Sequence, residues 1–259
     1  MALETQVDSE VRRVTEHVVR AIEGAPESGH PFHHLQLAGV FPEDVYARML
    51  DAMPEASKYR RMSGRARSSA VTRTKLDLLP EFVRHLPEPG RGVWAVVGQA
   101  LCSAEVREGF RERLTPGLER RFGARYRAAR MYPIPILTRD VPGYRIGIHP
   151  DTRRKAITVQ IYLPADRSIE HVGTVFHRKR ADGKFERATQ QPFAPNSGYA
   201  FAVGSDTYHS VDTVGPEVRT RDSILLTYFV DESLFQVVHN RGKRLGNMVL
   251  NEVRTLAHA

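Results

Sequence analysis

The spacing of apolar residues changes from a helical to an extended repeat about halfway along the chain. Apolar residues first recur every three to four positions, at Val7, Val11, Val14, Val18 and Ile22. This period predicts an amphipathic helix over Thr5–Glu23. Similar patterns predict further helices over 79–86, 93–102 and 104–122, and a short strand within 30–41. The first 122 residues are therefore expected to be mainly helical.

From Gly123 to Asp231, short apolar stretches alternate with Gly, Pro, Asn and Asp turns, which is typical of strands. The predicted strands are Arg125–Tyr132, Tyr144–His149, Ala156–Leu163, Gly173–Arg178, Gly198–Val203 and Ser223–Val230. Several strands at this spacing indicate a β-sandwich or barrel. Helical spacing returns within 232–259. We expect one domain over 1–259, with a mainly helical part at 1–122, a β core at 123–231 and C-terminal helices at 232–259.

Composition adds few constraints to this picture. The chain has 259 residues, of which 41% are hydrophobic, and no apolar run is long enough to span a membrane. The N-terminus lacks the basic-then-apolar pattern of a signal peptide. A single cysteine, Cys102, excludes an intramolecular disulfide. These features predict a cytoplasmic protein, and they leave its oligomeric state open.

The formal charge of +8 is concentrated in one segment, Lys58–Lys75, which has seven basic residues and no acidic ones. Such a run is usually a solvated loop. The alternative is that its basic side chains, Arg65, Arg67, Arg73 and Lys75, attract an anionic substrate. Only one aromatic residue accompanies them, which argues against nucleic-acid binding.

The first chemical signal is His149-Pro150-Asp151. Positions i and i+2 of a strand project from one face, so the imidazole and the carboxylate can reach one metal ion. The pattern alone is weak, since a surface His–Asp pair is common. His209 follows the strand that ends near Val203 and could complete two histidines and one carboxylate. That set leaves three iron positions open, two for a 2-oxo acid and one for dioxygen. A hydrogen-bonded loop histidine is the alternative for His209.

A third signal, Thr220–Phe229, begins shortly after His209 and places Arg221 and Ser223 on one strand face. A planar guanidinium can grip a carboxylate bidentately, and a neighbouring hydroxyl can share an oxygen. The distal carboxylate of 2-oxoglutarate needs such a clamp. Arg219 has the same parity and competes for this role, but the Arg-x-Ser pattern favours Arg221.

The order of these motifs resembles the Fe(II)- and 2-oxoglutarate-dependent oxygenases. The resemblance covers about 125–230 and consists of H-x-D, Lys155–Leu163, Gly173-Thr174, the distal His209 and R-x-S. Residues 144–163 and 173–175 are most similar to the prolyl-hydroxylase-like branch, which includes bacterial hydroxylases and halogenases of small metabolites. Residues 30–53 are also similar to the N-terminal segment of these proteins, though less specifically.

The resemblance implies a mainly β core, a double-stranded β-helix (jelly roll), with N-terminal and C-terminal helices packed on it. It implies Fe(II) held by His149, Asp151 and His209, with 2-oxoglutarate and O2 as co-substrates. Related halogenases have a glycine or alanine in place of the carboxylate. Because Asp151 is present, we expect hydroxylation or another oxidation of a C–H bond.

Other residues are candidates by their position along the predicted strands. In 156–163 the even positions are polar, and their closeness to H-x-D suggests that Gln160 and Tyr162 contact 2-oxoglutarate; a strand with its polar side in water is the alternative. The candidate substrate contacts are Arg130, Tyr132, Thr174 and Arg73.

The expected substrate is a small polar metabolite, which the basic residues suggest to be anionic. A peptidyl or prolyl substrate is the alternative within the same superfamily. Two other classes stay open: a non-catalytic jelly-roll binding protein, and a zinc hydrolase using the same ligands. The hydrolase would leave Arg221 and Ser223 unexplained and has no evident general base.

Overall fold

A computed structural model of the protein describes residues 2–62 and 72–230, with side chains from residue 6 onward. The α-helices of these residues are α1 (Ala2–Glu23), α2 (Glu43–Asp51), α3 (Pro80–Val83), α4 (Gly90–Leu101), α5 (Ala104–Arg113) and α6 (Thr115–Phe122). The helices predicted within 232–259, and Arg65 and Arg67 of the basic segment, lie outside the described residues.

Twelve strands occur in the described part of the chain. They are β1 (Glu27–Ser28), β2 (His34–Ala38), β3 (Arg60–Arg61), β4 (Arg73–Asp77), β5 (Met131–Asp140), β6 (Ile146–His149), β7 (Lys155–Tyr162), β8 (Val175–Lys179), β9 (Phe185–Gln190), β10 (Ser197–Ala202), β11 (Tyr208–Val211) and β12 (Arg221–Val230).

The strands form two antiparallel sheets. The major sheet has eight strands in the order β1-β2-β10-β7-β12-β5-β4-β3, and the minor sheet has four in the order β6-β11-β8-β9. Neighbours in the sheets are often far apart in the chain, as expected of a jelly roll. The predicted fold class, a jelly-roll core with flanking helices, is confirmed.

Two apolar clusters account for most of the core. One lies between the outer face of the major sheet and the helices, and it includes Val18, Trp94 and Leu226. The other combines residues of both sheets and is rich in aromatic side chains, among them Phe176 and Phe201. Buried aromatic side chains thus fill much of the space between the sheets.

Strand β7 shows how one sequence pattern serves both clusters. Its odd positions, Ile157, Val159 and Ile161, belong to the helix-side cluster. Its even positions, Thr158, Gln160 and Tyr162, point to the opposite face of the sheet, away from the helices. All three are buried. The prediction of an apolar face under the helices and an enclosed polar face is therefore confirmed.

Strand β5 lies where the sequence pattern was misleading. The predicted strand Arg125–Tyr132 is wrong: residues 123–128 form a 3-10 helix, and β5 begins only at Met131. Pro133 and Pro135 hid the strand. The carbonyl of Pro135 accepts a hydrogen bond from the amide of Leu78, the residue that follows β4. The nitrogens of Pro133 and Pro135 point to the same side of β5 as this carbonyl, where β4 no longer pairs with β5. A missing N–H costs little there.

Three smaller differences have local causes. The helix predicted over 104–122 is divided near Pro116 into α5 and α6, because proline is tolerated only in the first turn of a helix. Strand β9 escaped prediction because it is mostly exposed, and β11 because it has only four residues.

The mainly helical first part also contributes to the major sheet. Strand β2 pairs with β10, and β4 pairs with β5. This shared sheet supports our proposal that the helical part and the β core form one domain. Among the described helices, none is long and apolar enough to cross a membrane.

Candidate metal and co-substrate site

The sheet topology brings the three predicted metal ligands together. His149 ends β6, Asp151 follows it by two residues, and His209 lies on β11, the strand next to β6. His209 and His149 are direct register partners, and their ring centroids are 4.4 Å apart. One potential ligand atom from each of the three residues lies within 4.8 Å of the other two. The spacing is that of a single mononuclear site.

Backbone carbonyls orient both imidazoles. The Nδ1 atom of His149 lies 2.8 Å from the Gly147 oxygen, and the Nδ1 atom of His209 lies 3.1 Å from the Thr207 oxygen. A carbonyl can only accept, so each Nδ1 donates and each Nε2 keeps its lone pair for a metal. Burial lowers the pKa of His209 to about 4, so this imidazole is neutral at pH 7.

Asp151 is held as a carboxylate by two residues of β7. Lys155 Nζ lies 2.6 Å from Oδ1, and Thr158 Oγ1 donates to Oδ2 at 2.6 Å. Burial opposes the charge of Asp151, but Lys155, His209 and these hydrogen bonds outweigh burial and lower its pKa to about 2. Asp151 and His209 are therefore in their metal-binding protonation states at neutral pH.

The donor set fits Fe(II). Two imidazole nitrogens and one carboxylate oxygen suit a borderline divalent ion and leave coordination positions for other ligands. We propose His149, Asp151 and His209 as the iron ligands. Lys155 and Thr158 were not recognised in the sequence as partners of Asp151; the i+4 and i+7 spacing from the acid was the available signal.

Replacing Thr158 with valine is expected to lower the affinity for Fe(II) about 10- to 100-fold, the usual effect of losing a hydrogen bond to a metal ligand. The change is nearly isosteric and removes only the donor to Asp151. Anaerobic titration of Fe(II) against a competing chelator measures the effect. Thr227→Val is the matched control, since Thr227 is buried directly opposite Thr158 on β12. Equal Fe(II) affinities for the two variants would contradict the assignment.

The predicted clamp, Arg221, begins β12 and is fully buried. Its Nε donates to the Val172 oxygen at 2.7 Å and its Nη1 to Asp140 Oδ2 at 2.8 Å. Its Nη2 is buried without a hydrogen-bond partner among the described residues. The competing Arg219 is exposed and precedes the strand. The geometry favours Arg221 and leaves Nη2 as the donor for a ligand.

Three buried tyrosines lie around this guanidinium. Tyr162 and Tyr199 both donate to Thr174 Oγ1, at 3.0 and 3.1 Å, whereas the Oη of Tyr144 has no described partner. Burial raises the pKa of Tyr144 to about 12, against the positive charges of Arg73 and Arg221. Its hydroxyl is therefore a protonated donor at neutral pH.

The buried Nη2 of Arg221 and Oη of Tyr144 indicate a ligand. A buried donor without an acceptor costs stability, so such atoms are rare unless something else binds them. A carboxylate would accept from both kinds of donor. The residues present therefore fit the distal carboxylate of 2-oxoglutarate.

Thr174 lies between two of these tyrosines, and not at an open surface. The preceding Gly173 cannot carry a side chain, because a Cβ atom would lie 1.6 Å from the Gln191 oxygen. This close backbone approach explains the Gly-Thr pair. It places Thr174 as the acceptor for Tyr162 and Tyr199, a role that sequence reasoning did not foresee.

Ser223 and Gln160 face the interior but bind each other. Gln160 Nε2 donates to Ser223 Oγ at 2.5 Å, and Ser223 Oγ also contacts Thr138 Oγ1 at 2.9 Å. The expected sharing of a ligand oxygen between Ser223 and Arg221 stays a proposal. Ser223 is two residues from Arg221 on β12, and Gln160 lies opposite Leu225, a further two residues along that strand.

The four candidate substrate residues are scattered in the structure. Arg130 is exposed and precedes β5, so it does not share a strand face with Tyr132 as predicted. Tyr132 stacks on Phe229 with ring centroids 5.7 Å apart. Thr174 is enclosed by tyrosines, and Arg73 is connected to Arg221 through Asp140. Of the four, Tyr132 and the neighbouring Arg130 lie at the same end of the major sheet as Lys155, the partner of Asp151.

The basic segment is partly buried, contrary to the solvated loop that its charge suggested. Arg73 and Lys75 lie on β4, and Lys75 is buried. Arg73 contacts Asp140. Asp140 is a further residue that the sequence did not reveal, because the prolines obscured the strand that carries it.

A cavity of about 620 Å³ lies against Asp151. Its polar lining includes His33, Arg120, Arg121, Arg153 and Asp206. Arg120 pairs with Asp206 at 3.0 Å, while no described carboxylate pairs with Arg121 or Arg153. Arg121 donates to the Val203 carbonyl at 3.0 Å. The cavity therefore has an excess of positive charge and the volume of a small-molecule site.

Solved structures with the same fold were found, although the sequence identities are low. A prolyl-4-hydroxylase of Pseudomonas putida has 17% identity and a TM-score of 0.50, covering 84% of this chain and 99% of that one. A prolyl hydroxylase of Trichoplax adhaerens, solved with a hypoxia inducible factor peptide fragment, has 12% identity and a TM-score of 0.52, covering 87% and 92%.

Neither a protein-family profile nor a curated protein sequence matches the chain. At these identities the structural similarity speaks for the fold alone. The fold implied by the ordered motifs is thus confirmed by an independent comparison of structures. The chain has the jelly-roll fold of these two prolyl hydroxylases.

Proposed function

We propose that the protein is an Fe(II)- and 2-oxoglutarate-dependent dioxygenase that hydroxylates, or otherwise oxidises, a C–H bond of a small anionic metabolite. One observation carries the proposal: a His-Asp-His triad and a buried arginine with an unpartnered donor occur in one jelly roll. A non-catalytic binding protein of this fold would need neither feature. A zinc hydrolase would leave the arginine unexplained.

In the proposed site, Fe(II) would be held by His149, Asp151 and His209, and it would supply the activation of dioxygen coupled to decarboxylation of 2-oxoglutarate to succinate and CO2. Arg221 and Tyr144 would bind the distal carboxylate and so orient the 2-oxo acid. The aromatic cluster between the sheets would exclude water. The protein's contribution is to place the reacting groups and keep the site dry.

The proposed substrate class rests on the cavity beside Asp151. Its volume suits a small molecule, and Arg121 and Arg153 give it an uncompensated positive charge. The carboxylate or phosphate group of a substrate would bind these arginines, beside the metal ligand Asp151. Because Asp151 is present, the expected outcome is hydroxylation or another oxidation of the C–H bond, and not halogenation.

A peptidyl or prolyl substrate is the second candidate. It is favoured by two of the similar structures, which are prolyl hydroxylases, one of them with a peptide. The volume of the cavity favours a small-molecule substrate. A screen of small anionic compounds and proline-containing peptides distinguishes the two candidates.

Anaerobic addition of Fe(II) and 2-oxoglutarate is expected to produce a visible charge-transfer band. In air, small anionic compounds are expected to stimulate succinate formation, and proline-containing peptides are not. A protein with no band, and no succinate with any compound, would not be an oxygenase. Stimulation by cationic or apolar compounds alone would overturn the anionic substrate class, and stimulation by peptides alone would favour the second candidate.

A further inference from the structure

A buried row of three charged residues crosses the major sheet. Arg73 of β4, Asp140 of β5 and Arg221 of β12 lie directly opposite one another in the strand register. Asp140 accepts from Arg73 Nε at 2.5 Å and Nη2 at 2.7 Å, and from Arg221 Nη1 at 2.8 Å. One carboxylate therefore fixes both guanidinium groups in place.

Arg73 has a second contact that Asp140 does not explain. Its guanidinium lies 4.1 Å from the centroid of the Tyr144 ring. Arg73 thus touches Tyr144 directly and Arg221 through Asp140. Both Tyr144 and Arg221 have a buried donor atom, Oη and Nη2 respectively, without a described partner.

The charge of the row also favours an anion. Two arginines and one aspartate carry a net charge of +1, and Asp140 and Arg221 are fully buried. A buried net charge is costly unless an opposite charge accompanies it. A bound carboxylate would bring the row to neutrality.

We propose that Arg73 is a positioning residue for the distal carboxylate of the 2-oxo acid. Through Asp140 it fixes the guanidinium of Arg221, and by stacking it holds Tyr144, so that Nη2 and Oη can bind the same carboxylate. Arg73 acts through these two groups. The inference rests on the proposed function, and it extends the co-substrate site to a strand outside the resemblance that the sequence revealed.

The same strands provide a matched control. Arg139 and Asp222 are register partners one position away, and Arg139 Nε donates to Asp222 Oδ1 at 2.7 Å. Arg139 also lies over an aromatic ring, that of Tyr59, at 4.7 Å. Consecutive strand residues point to opposite faces, so this pair lies on the face away from Arg221. Arg139 thus makes the same kinds of contact as Arg73, an ion pair with an aspartate and a cation–π contact with a tyrosine, but it does not face the proposed ligand.

The test compares two 2-oxo acids of equal chain length by anaerobic titration of the Fe(II) charge-transfer band. 2-Oxoglutarate has the distal carboxylate, and 2-oxopentanoate has a methyl group in its place. Arg73→Met is expected to weaken 2-oxoglutarate binding at least about tenfold, the effect of disturbing one charged hydrogen bond, and to leave 2-oxopentanoate binding within twofold. Arg73→Lys is expected to recover part of the preference, and Arg139→Met to retain all of it.

The preference between the two acids distinguishes positioning from general damage. A fall in binding of both acids in Arg73→Met and in Arg73→Lys would overturn the inference, because it would show a purely structural role. An unchanged preference in both variants would overturn it as well. If the unaltered protein forms no band with either acid, the proposed function itself fails.

Discussion

Replacing His209 with alanine is expected to lower the affinity for Fe(II) by more than about 100-fold and to abolish succinate formation. Replacing a residue that only hydrogen-bonds to a metal ligand typically lowers metal affinity about 10- to 100-fold. The loss in His209→Ala should be larger, because the metal–nitrogen bond itself is removed. The two remaining ligands keep their own supports, since His149 lies on β6 and Asp151 is held by Lys155 and Thr158 of β7. Fe(II) titration and the charge-transfer band measure the effect.

His177→Ala is the control for this prediction. His177 lies on β8, pairs with the residue before His209, is similarly buried, and has its Nε2 atom 2.8 Å from Ser210 Oγ. It is not part of the triad. Its replacement should therefore lower thermal stability without a comparable loss of Fe(II) affinity. Equal losses of Fe(II) affinity in the two variants would mean that His209 acts through the fold and not as a ligand.

Replacing Arg221 with methionine is expected to weaken 2-oxoglutarate binding about 10- to 150-fold. This range corresponds to about 1.5–3 kcal/mol, the usual contribution of a hydrogen bond to a charged group. Fe(II) affinity should change little, because Arg221 does not contact the triad. Asp140 keeps its two hydrogen bonds from Arg73, so the variant leaves no unpaired buried carboxylate and is expected to fold.

Arg219→Met tests the competing arginine. Arg219 has the same strand parity in the sequence but is exposed in the structure. Its replacement should leave the 2-oxoglutarate dissociation constant unchanged. A loss in Arg219→Met comparable with that in Arg221→Met would contradict the assignment of the clamp to Arg221. Arg221→Lys should keep the positive charge and recover part of the affinity.

The sequence alone was sufficient for the features that depend on local order. His149 and Asp151 are two residues apart at the end of a strand, so a short segment suffices to predict that they lie close together. The alternation of apolar and polar residues in β7 predicted which of its side chains face the helices. Successive side chains of a strand point to opposite faces of the sheet, and the apolar face packs against the apolar surface of the helices. The order of the motifs then indicated the jelly roll and the adjacent His209.

Only the tertiary structure decided the surroundings of Arg221. Arg73 and Asp140 are 67 residues apart, and Asp140 and Arg221 are 81 apart, so their contacts depend on which strands are neighbours. Strand β5 could not be predicted because it contains two prolines, which cannot donate ladder hydrogen bonds. They are tolerated only because β4 ends before it reaches them. Charge was equally misleading: Arg73 belongs to a basic run that suggests a solvated loop, yet the order of strands places it beside a buried carboxylate. Local patterns predict which way a side chain faces, whereas the partner that it meets depends on how distant strands pair.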